Sequence, residues 1–297
     1  MRRRRKEHDE TGIALRQANG LFYISPGQRL GFTGRQSPFS AEGAIHWDVK
    51  TIPHYYSDLA PFRELFLTGQ PILTYHNVGP RKRGVKIKGL YVSPKLFARQ
   101  MAELRAAEFC APSHRSLFSR EPNQPACVWI TFDDGFCDVF EHALPVLRRH
   151  SFSSIQFLVA GLLGKTNEWM QKDSKVVERL MDEAQIRDWL AAGQEIGSHT
   201  MTHPRLTQLS QVEAREQITA SKKSLEDRFG VPINHFCYPF GDWNPAVRDL
   251  VVAAGYQTAC TTITGLNTGA ESPFELKRFT ARYPSRSLKA IWKRLTH

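Results

Sequence analysis

Two adjacent carboxylates, Asp133 and Asp134, directly follow a short apolar run and precede Gly135. Side chains on a regular strand point alternately to opposite faces, so both carboxylates can serve one site only if the chain turns there. Gly135 can supply that turn because glycine tolerates a positive φ. Neighbouring carboxylates also repel each other, and a bound cation relieves that repulsion. The segment is a candidate metal or acid–base site, and a plain strand-to-helix turn capped by either aspartate is the alternative.

A pair of histidines, His199 and His203, follows a second short apolar run with a spacing of four residues. Histidines at this spacing can face the same way on one helical turn, as metal-binding pairs do. A single histidine is more often structural, but two at a predicted strand end favour a ligand pair. Two histidines and one aspartate leave coordination positions open for water, which is the pattern of a catalytic metal site. We expect one divalent ion here, zinc, with iron, cobalt, manganese or nickel as alternatives.

A third segment, residues 236–242, runs from an apolar stretch into a turn that contains Tyr238, Pro239, Phe240 and Gly241. A tight turn with buried rings explains this composition without any function. A functional interpretation adds an aromatic wall for the face of a sugar ring and a backbone N–H directed at the site. Composition alone leaves both interpretations open.

Short apolar runs alternate with helical patterns from residue 71 onward, and this alternation must position the three segments. The runs are residues 72–75, 128–132, 155–160, 195–198, 235–238 and 257–261, with a weaker seventh at 276–279. Helix starts are marked by Ser93-Pro94, by a capping box at Ser210 and Glu213, and by Asn244-Pro245. Such alternation predicts a parallel sheet with helices outside, and about seven units predict a closed or nearly closed barrel. The chemistry would then lie at the carboxyl ends of the strands.

Residues 1–70 differ from the rest of the chain, because they show little periodicity and carry several glycines among polar residues. We interpret them as an irregular, partly flexible N-terminal extension with a short element near residues 61–67. Residues 71–297 are predicted to form the enzymatic domain.

The composition of the 297-residue chain limits its partners and its compartment. The net charge is +11, and part of it comes from a basic run at residues 2–6. A solvated N-terminus explains this run, and attraction to nucleic acid, anionic lipid or an acidic polymer is the alternative. No nucleic-acid-binding signature is present, so we expect no nucleic-acid partner.

Five scattered cysteines without a C-x-x-C pair favour a reducing compartment. Without a signal peptide or a transmembrane-length apolar run, the sequence predicts a cytoplasmic protein, and an earlier start would allow the cell envelope.

The three chemical motifs, in this order, resemble those of the polysaccharide deacetylases, the NodB-homology or carbohydrate esterase family 4 enzymes. They are Thr-Phe-Asp-Asp-Gly at 131–135, Ser-His-Thr-x-Thr-His at 198–203 and Tyr-Pro-Phe-Gly at 238–241, the last as in the branch with a Tyr-Pro-aromatic-Gly motif. The likeness extends over about residues 71–280. It implies an α/β fold, the distorted (β/α)7 barrel of NodB-like deacetylases. It also implies a metal-dependent enzyme that hydrolyses N-acetyl groups of amino sugars in a glycan.

The resemblance assigns roles to individual residues. Asp133 becomes the general base, and the metal ligands become Asp134, His199 and His203. The backbone N–H of Phe240 would help to hold the oxyanion, and Tyr238 would contact the substrate.

The sequence departs from the family pattern in two places. Many members begin the third motif with an arginine that holds the catalytic aspartate in position. In this chain Cys237 occupies that place. We hypothesise that Arg278 holds Asp133 instead. Family members usually carry a Leu-x-His motif near the C-terminus. In this chain Leu295 and His297 have the same residue types, but they lie at the very end of the chain. We therefore expect the general acid to be His76, at the end of the first strand. The alternative is that His76 only holds the turn that follows it, and Asp242 and His297 are then the next candidates.

Two other functions fit the same residues. One is hydrolysis of a small non-sugar amide, which the same site would also support. The other is a non-catalytic glycan-binding module, against which the intact pair of aspartates and pair of histidines argue.

Overall fold

A computed structural model of the protein describes residues 53–85, 87–112, 125–170 and 176–283, all within one compact unit. The strands are β1 (Ile72–Tyr75), β2 (Asn77–Val78), β3 (Tyr91–Val92), β4 (Trp129–Phe132), β5 (Ile155–Leu158), β6 (Glu195–Ser198), β7 (His235–Cys237), β8 (Thr258–Cys260) and β9 (Phe279–Thr280). The α-helices are α1 (Arg63–Leu67), α2 (Pro94–Ala106), α3 (Leu144–His150), α4 (Glu183–Ala191), α5 (Gln211–Phe229) and α6 (Pro245–Ala253).

Seven of the strands form one parallel sheet in the order β8-β7-β6-β5-β4-β1-β9. The sheet curls because one segment pairs with both of its edges. Leu276 forms a parallel bridge with Cys260 of β8, and Phe279 pairs with Leu73 of β1. The prediction of a distorted seven-stranded α/β barrel is therefore confirmed. The last strand lies at Phe279–Thr280, slightly beyond the predicted run, because Leu276 serves as the bridge to the other edge.

The helix boundaries follow the capping residues that the sequence displays. The Ser93 hydroxyl accepts a hydrogen bond from the Leu96 N–H, and Ser210 and Glu213 form a reciprocal capping box at the start of α5. Gly230 ends α5 in the left-handed conformation, where glycine carries no Cβ penalty. Satisfied helix ends stabilise each helix by about 1 kcal/mol, so local chemistry is sufficient to define these boundaries.

The described part of the predicted extension packs into the barrel core. Tyr56, Phe62 and Phe66 are fully buried, and the Phe62 and Phe66 rings lie 5.4 and 5.3 Å from the Phe279 ring. The Tyr56 N–H also donates to the Thr280 carbonyl. Residues 53–70 thus contribute side chains to the core, and the division of the chain at residue 70 stays a prediction. The elements here are only three to five residues long, too short to show a periodicity in the sequence. Residues 1–52 lie outside the described residues.

Cys110 and Cys127 form a disulfide, next to a backbone bridge between the same two residues. The scatter of cysteines in the sequence gave no indication of this pair, and the compartment of the protein stays a prediction. Cys137, Cys237 and Cys260 are free and buried. Within the described residues, no helix has the length and apolar character needed to cross a membrane.

Candidate active site

The two aspartates and the two histidines converge where their strands end. Asp134 follows β4 and His199 follows β6, with β5 lying between these strands. The Oδ1 atom of Asp134 lies 3.4 Å from Nε2 of His199 and 3.3 Å from Nε2 of His203. The two Nε2 atoms are 3.2 Å apart, and all three side chains are buried. These residues form a compact group that could hold a metal ion.

Left-handed backbone conformations create this convergence. Positive φ values occur at Asp134 (76°), Thr200 (68°) and His203 (62°), and Gly135 (83°) completes the predicted turn. The four-residue spacing suggested that the two histidines lie on one helical turn. They lie instead in an irregular loop. At the three non-glycine residues each such conformation costs on the order of 1–3 kcal/mol, and such strain tends to cluster at functional sites.

Hydrogen bonds from the surrounding structure hold this strained loop in place. The Thr200 hydroxyl accepts from the His203 N–H. The side-chain carbonyl of Gln217 accepts from the N–H groups of Met201 and Thr202. The loop is thereby tied both to itself and to helix α5.

The chemistry of this group fits a divalent cation. Nδ1 of His199 lies 2.7 Å from the Cys237 carbonyl oxygen, which can only accept, so Nδ1 carries a proton and Nε2 faces Asp134. Burial raises the pKa of Asp134, but hydrogen bonds from His199 and His203 hold it well below its ordinary value. A carboxylate and two imidazole nitrogens this close repel each other unless protons or a cation lie between them. One aspartate and two histidines suit zinc or a related divalent ion.

Asp133 faces a different partner from Asp134, the guanidinium of Arg278. Nη1 and Nη2 of Arg278 each donate to one oxygen of Asp133, both at 2.8 Å. Burial raises the pKa of Asp133, but the charge and hydrogen bonds of Arg278 outweigh it and hold the pKa below its ordinary value. Arg278 therefore braces Asp133, as hypothesised. The small Cys237 side chain leaves room for this, and its Sγ lies 3.2 Å from Nη2.

His76 lies beside Asp133. It follows β1, which pairs with β4 on one side and β9 on the other. Nε2 of His76 is 3.8 Å from Oδ2 of Asp133, and the side chain is 18% exposed. Burial lowers the pKa of His76, and the charges of Asp133 and Asp134 oppose this effect. The barrel thus brings the first strand end to the site, as the argument for His76 requires, and its role as the acid stays a prediction.

The two aromatic residues of the third motif have different surroundings. The Phe240 ring is 44% exposed and lies edge-on to the His203 ring, with centroids 4.6 Å apart. Tyr238 is buried, and its hydroxyl donates to the Phe274 carbonyl. The Tyr238 side chain therefore packs in the core, and its contact with substrate stays a prediction.

Two neighbours of the site escaped the sequence analysis. Trp169 stacks on His203, with ring centroids 4.5 Å apart and planes at 22°. The Arg205 guanidinium lies over the Phe240 ring, 4.4 Å from its centroid. Trp169 is separated from His203 by more than thirty residues, so no local spacing indicates its contact. Arg205 follows His203 by two residues, and that proximity is the only signal that could have singled it out.

Comparison with known proteins connects this site to a family. The family model for polysaccharide deacetylases matches residues 120–259. The Bacillus subtilis protein YxkH is 26% identical over 212 residues, which is 70% of each chain. A chitooligosaccharide deacetylase of Sinorhizobium fredii is 29% identical over 132 residues, 43% of this chain and 53% of that enzyme. A peptidoglycan-N-acetylglucosamine deacetylase of Bacillus cereus is 29% identical over 137 residues, 46% of this chain and 57% of that enzyme.

A solved structure extends the similarity to the whole barrel. IcaB from Ammonifex degensii superposes with a TM-score of 0.64 at 24% identity, covering 76% of this chain and 97% of that one. The fold is therefore that of a known deacetylase barrel. The motifs, the family match and the fold agree, and the matched region, residues 120–259, belongs to the polysaccharide deacetylase family.

Proposed function

We propose that this protein is a metal-dependent N-deacetylase that hydrolyses N-acetyl groups of amino sugars in a glycan. The observation that carries the proposal is the pairing of two differently held carboxylates. Asp133 is clamped by Arg278, next to the buried group of Asp134, His199 and His203. Its membership in the family, and relatives named as deacetylases of chitooligosaccharides and peptidoglycan, support the same chemistry.

Each residue has a distinct task in this proposal. Asp134, His199 and His203 would hold the divalent ion, which when bound polarises the acetyl carbonyl and acidifies water. Asp133 accepts the proton of the attacking water, and Arg278 keeps its carboxylate ionised at neutral pH.

The remaining tasks concern the charge and the leaving group. The Phe240 N–H donates to the oxyanion, an interaction whose deletion costs about 3–4 kcal/mol in comparable enzymes. An amine cannot leave as an anion, so a proton must reach the nitrogen, and we assign this donation to His76, which lies 3.8 Å from Asp133. Burial lowers the pKa of His76 below its ordinary value, which makes its imidazolium a stronger acid.

Metal analysis combined with an acetate-release assay on chito-oligosaccharides tests the proposal. Bound metal together with released acetate supports it. Bound metal without acetate release from any N-acetylated glycan would contradict it and favour a hydrolase of small amides. Glycan binding without metal would contradict it in favour of a non-catalytic binding module. Elemental analysis of the same sample decides between zinc and the alternative metals.

A further inference from the structure

Arg205 holds a positive charge at the rim of the site. Its guanidinium stacks 4.4 Å above the half-exposed Phe240 ring, which in turn contacts the ring of His203. Phe240 thus lies between the Arg205 cation and His203 of the candidate metal group, and Arg205 is exposed to solvent. Stacking occupies one face of the guanidinium and leaves its in-plane N–H donors available.

No acidic side chain among the described residues pairs with Arg205. The carboxylate nearest along the third motif, Asp242, is already engaged by Thr207. The Thr207 N–H and its hydroxyl both donate to Asp242 at 2.9 Å. The position of Arg205 therefore reflects its stacking on an aromatic ring, and its charge remains available to a ligand.

Further positive charge lies on the loop that follows His76. Arg81 and Arg83 are exposed there, and within the described chain neither forms an ion pair, whereas Lys82 between them pairs with Glu178. Strand ends of a parallel sheet meet at one edge, so this loop and the loop of Arg205 leave the same edge of the barrel. Cations on both loops favour a ligand with negative charge next to the reacting group.

We propose that Arg205 binds an anionic group, a carboxylate or a phosphate, on the sugar next to the N-acetylated residue that is hydrolysed. The inference rests on the proposed function and narrows its substrate to acidic glycans. A guanidinium donates two parallel hydrogen bonds to either kind of anion, and neutral chito-oligosaccharides offer no such partner. Arg205 is in this view a specificity-determining residue that leaves the chemical step itself unchanged.

The test compares Arg205→Gln and Arg205→Lys with the metal-loaded wild-type enzyme. The matched control is Arg149→Gln, which also removes one exposed cation. Arg149 lies near the end of α3, just before β5 begins, and therefore at the end of the barrel opposite the candidate site. The probes are a neutral chito-oligosaccharide and N-acetylated oligosaccharides with a carboxylate or a phosphodiester on the neighbouring sugar. Calorimetry with the deacetylated acidic product, which cannot turn over, measures binding separately from catalysis.

We expect Arg205→Gln to raise KM for an acidic probe by about 10- to 100-fold, as for the loss of hydrogen bonds to a charged group. The value of kcat and the kinetics with the neutral probe should stay within about twofold of wild type. Arg205→Lys should recover part of the lost affinity for the acidic probe, since lysine keeps the positive charge but lacks the two parallel N–H donors of the guanidinium. The acidic probe that responds identifies the anion as carboxylate or phosphate.

Two results would overturn the inference. Equal losses with neutral and acidic probes would show that Arg205 only orders Phe240, and unchanged kinetics with all probes would show that it binds nothing. The proposed function fails separately. If wild type released no acetate but bound the acidic product in an Arg205-dependent way, the anion site would stand without the deacetylase.

Discussion

Asp133 and Asp134 are chemically identical neighbours, yet their surroundings give them different tasks. Arg278 donates to both oxygens of Asp133, whereas Asp134 faces two imidazole rings. The positive φ of Asp134 turns its side chain away from the direction of its neighbour. Role assignment at this scale therefore depends on the partner that each carboxylate meets and not on the residue type.

Asp133→Asn tests the proposed base. The amide keeps the size of the side chain but cannot accept the proton, so we predict retained metal and a fall in kcat of at least about 10²-fold. Acetate release and metal content are measured on the same preparation, with Asp249→Asn on α6 as a surface control. Near-normal turnover by metal-loaded Asp133→Asn protein would exclude this role.

His199→Ala and His203→Ala test the metal site. Each variant removes one of three protein donors, so we predict loss of most bound metal and of activity in a protein that still melts cooperatively. Elemental analysis and circular dichroism provide the measurements, and His150→Ala at the end of α3 is the control. A folded His203→Ala protein with full metal content would refute the assignment.

His76→Ala tests the proposed acid. We predict that the fold and the metal are retained while most of kcat is lost, because the leaving nitrogen no longer receives a proton. The limb of the pH–rate profile that reports the acid should disappear at the same time. Wild-type rates across the whole pH range would place the acid elsewhere and leave Asp242 and His297 to be tested, the latter outside the described residues.

At the scale of elements, Asp138 links the start of the helical segment after β4 to strand β2, which follows His76. Its carboxylate accepts a hydrogen bond from the Val78 N–H, and a Cβ on Gly79 would come within 2.7 Å of Oδ2. Its Oδ1 atom is buried and finds no partner among the described residues. Burial, with the charges of Glu178 and Glu141, raises the pKa of Asp138 to about 7. Strand β2, which directly follows His76, is therefore held by a carboxyl group whose neutral form is favoured by burial.

Asp138→Asn should stabilise the protein at alkaline pH. A pKa of about 7 in the folded state lies above the ordinary value of 3.8, so wild type loses stability as the pH rises from about 4 to about 7. Asparagine mimics the neutral carboxyl group and does not titrate. We predict that the difference in Tm, variant minus wild type, grows from pH 5 to pH 8. A difference that stays constant over this range would contradict the prediction.

At the scale of the whole molecule, the barrel closes with the help of residues on the N-terminal side of its first strand. The rings of Phe62 and Phe66 pack against Phe279, a residue of β9 that pairs with β1, and the Tyr56 ring stacks on Phe66. A deletion of residues 1–65 would thus remove part of the core as well as the segment before it. We propose that the folded enzymatic unit begins before Tyr56.

Phe66→Ala tests this boundary. The ring is fully buried against other aromatic side chains, so its removal should lower the free energy of unfolding by about 3–5 kcal/mol. Denaturant unfolding measures the change, and Val212→Ala, at a position that is 75% exposed on α5, should alter it little. A loss below about 1 kcal/mol would return residues 53–70 to the status of an extension.

Much of the architecture was predictable from the sequence because its causes are local. The apolar runs of β1, β4 and β6, the capping box at Ser210 and the left-handed Gly230 each depend on residues within one short window. The motifs likewise place Asp133, Asp134, His199 and His203 near strand ends, since each motif begins at the end of its strand. A parallel sheet then brings those ends to one edge whatever the details of packing.

Tertiary structure alone decided the contacts that join distant segments. Arg278 meets Asp133 across 145 residues because β9 pairs with β1, which in turn pairs with β4. The stacking of Trp169 on His203 and the Cys110–Cys127 disulfide depend in the same way on how loops return to the barrel. A sequence pattern carries information about neighbours in the chain. Which strand lies beside which, and which side chain fills the space between them, is settled only when the whole core packs.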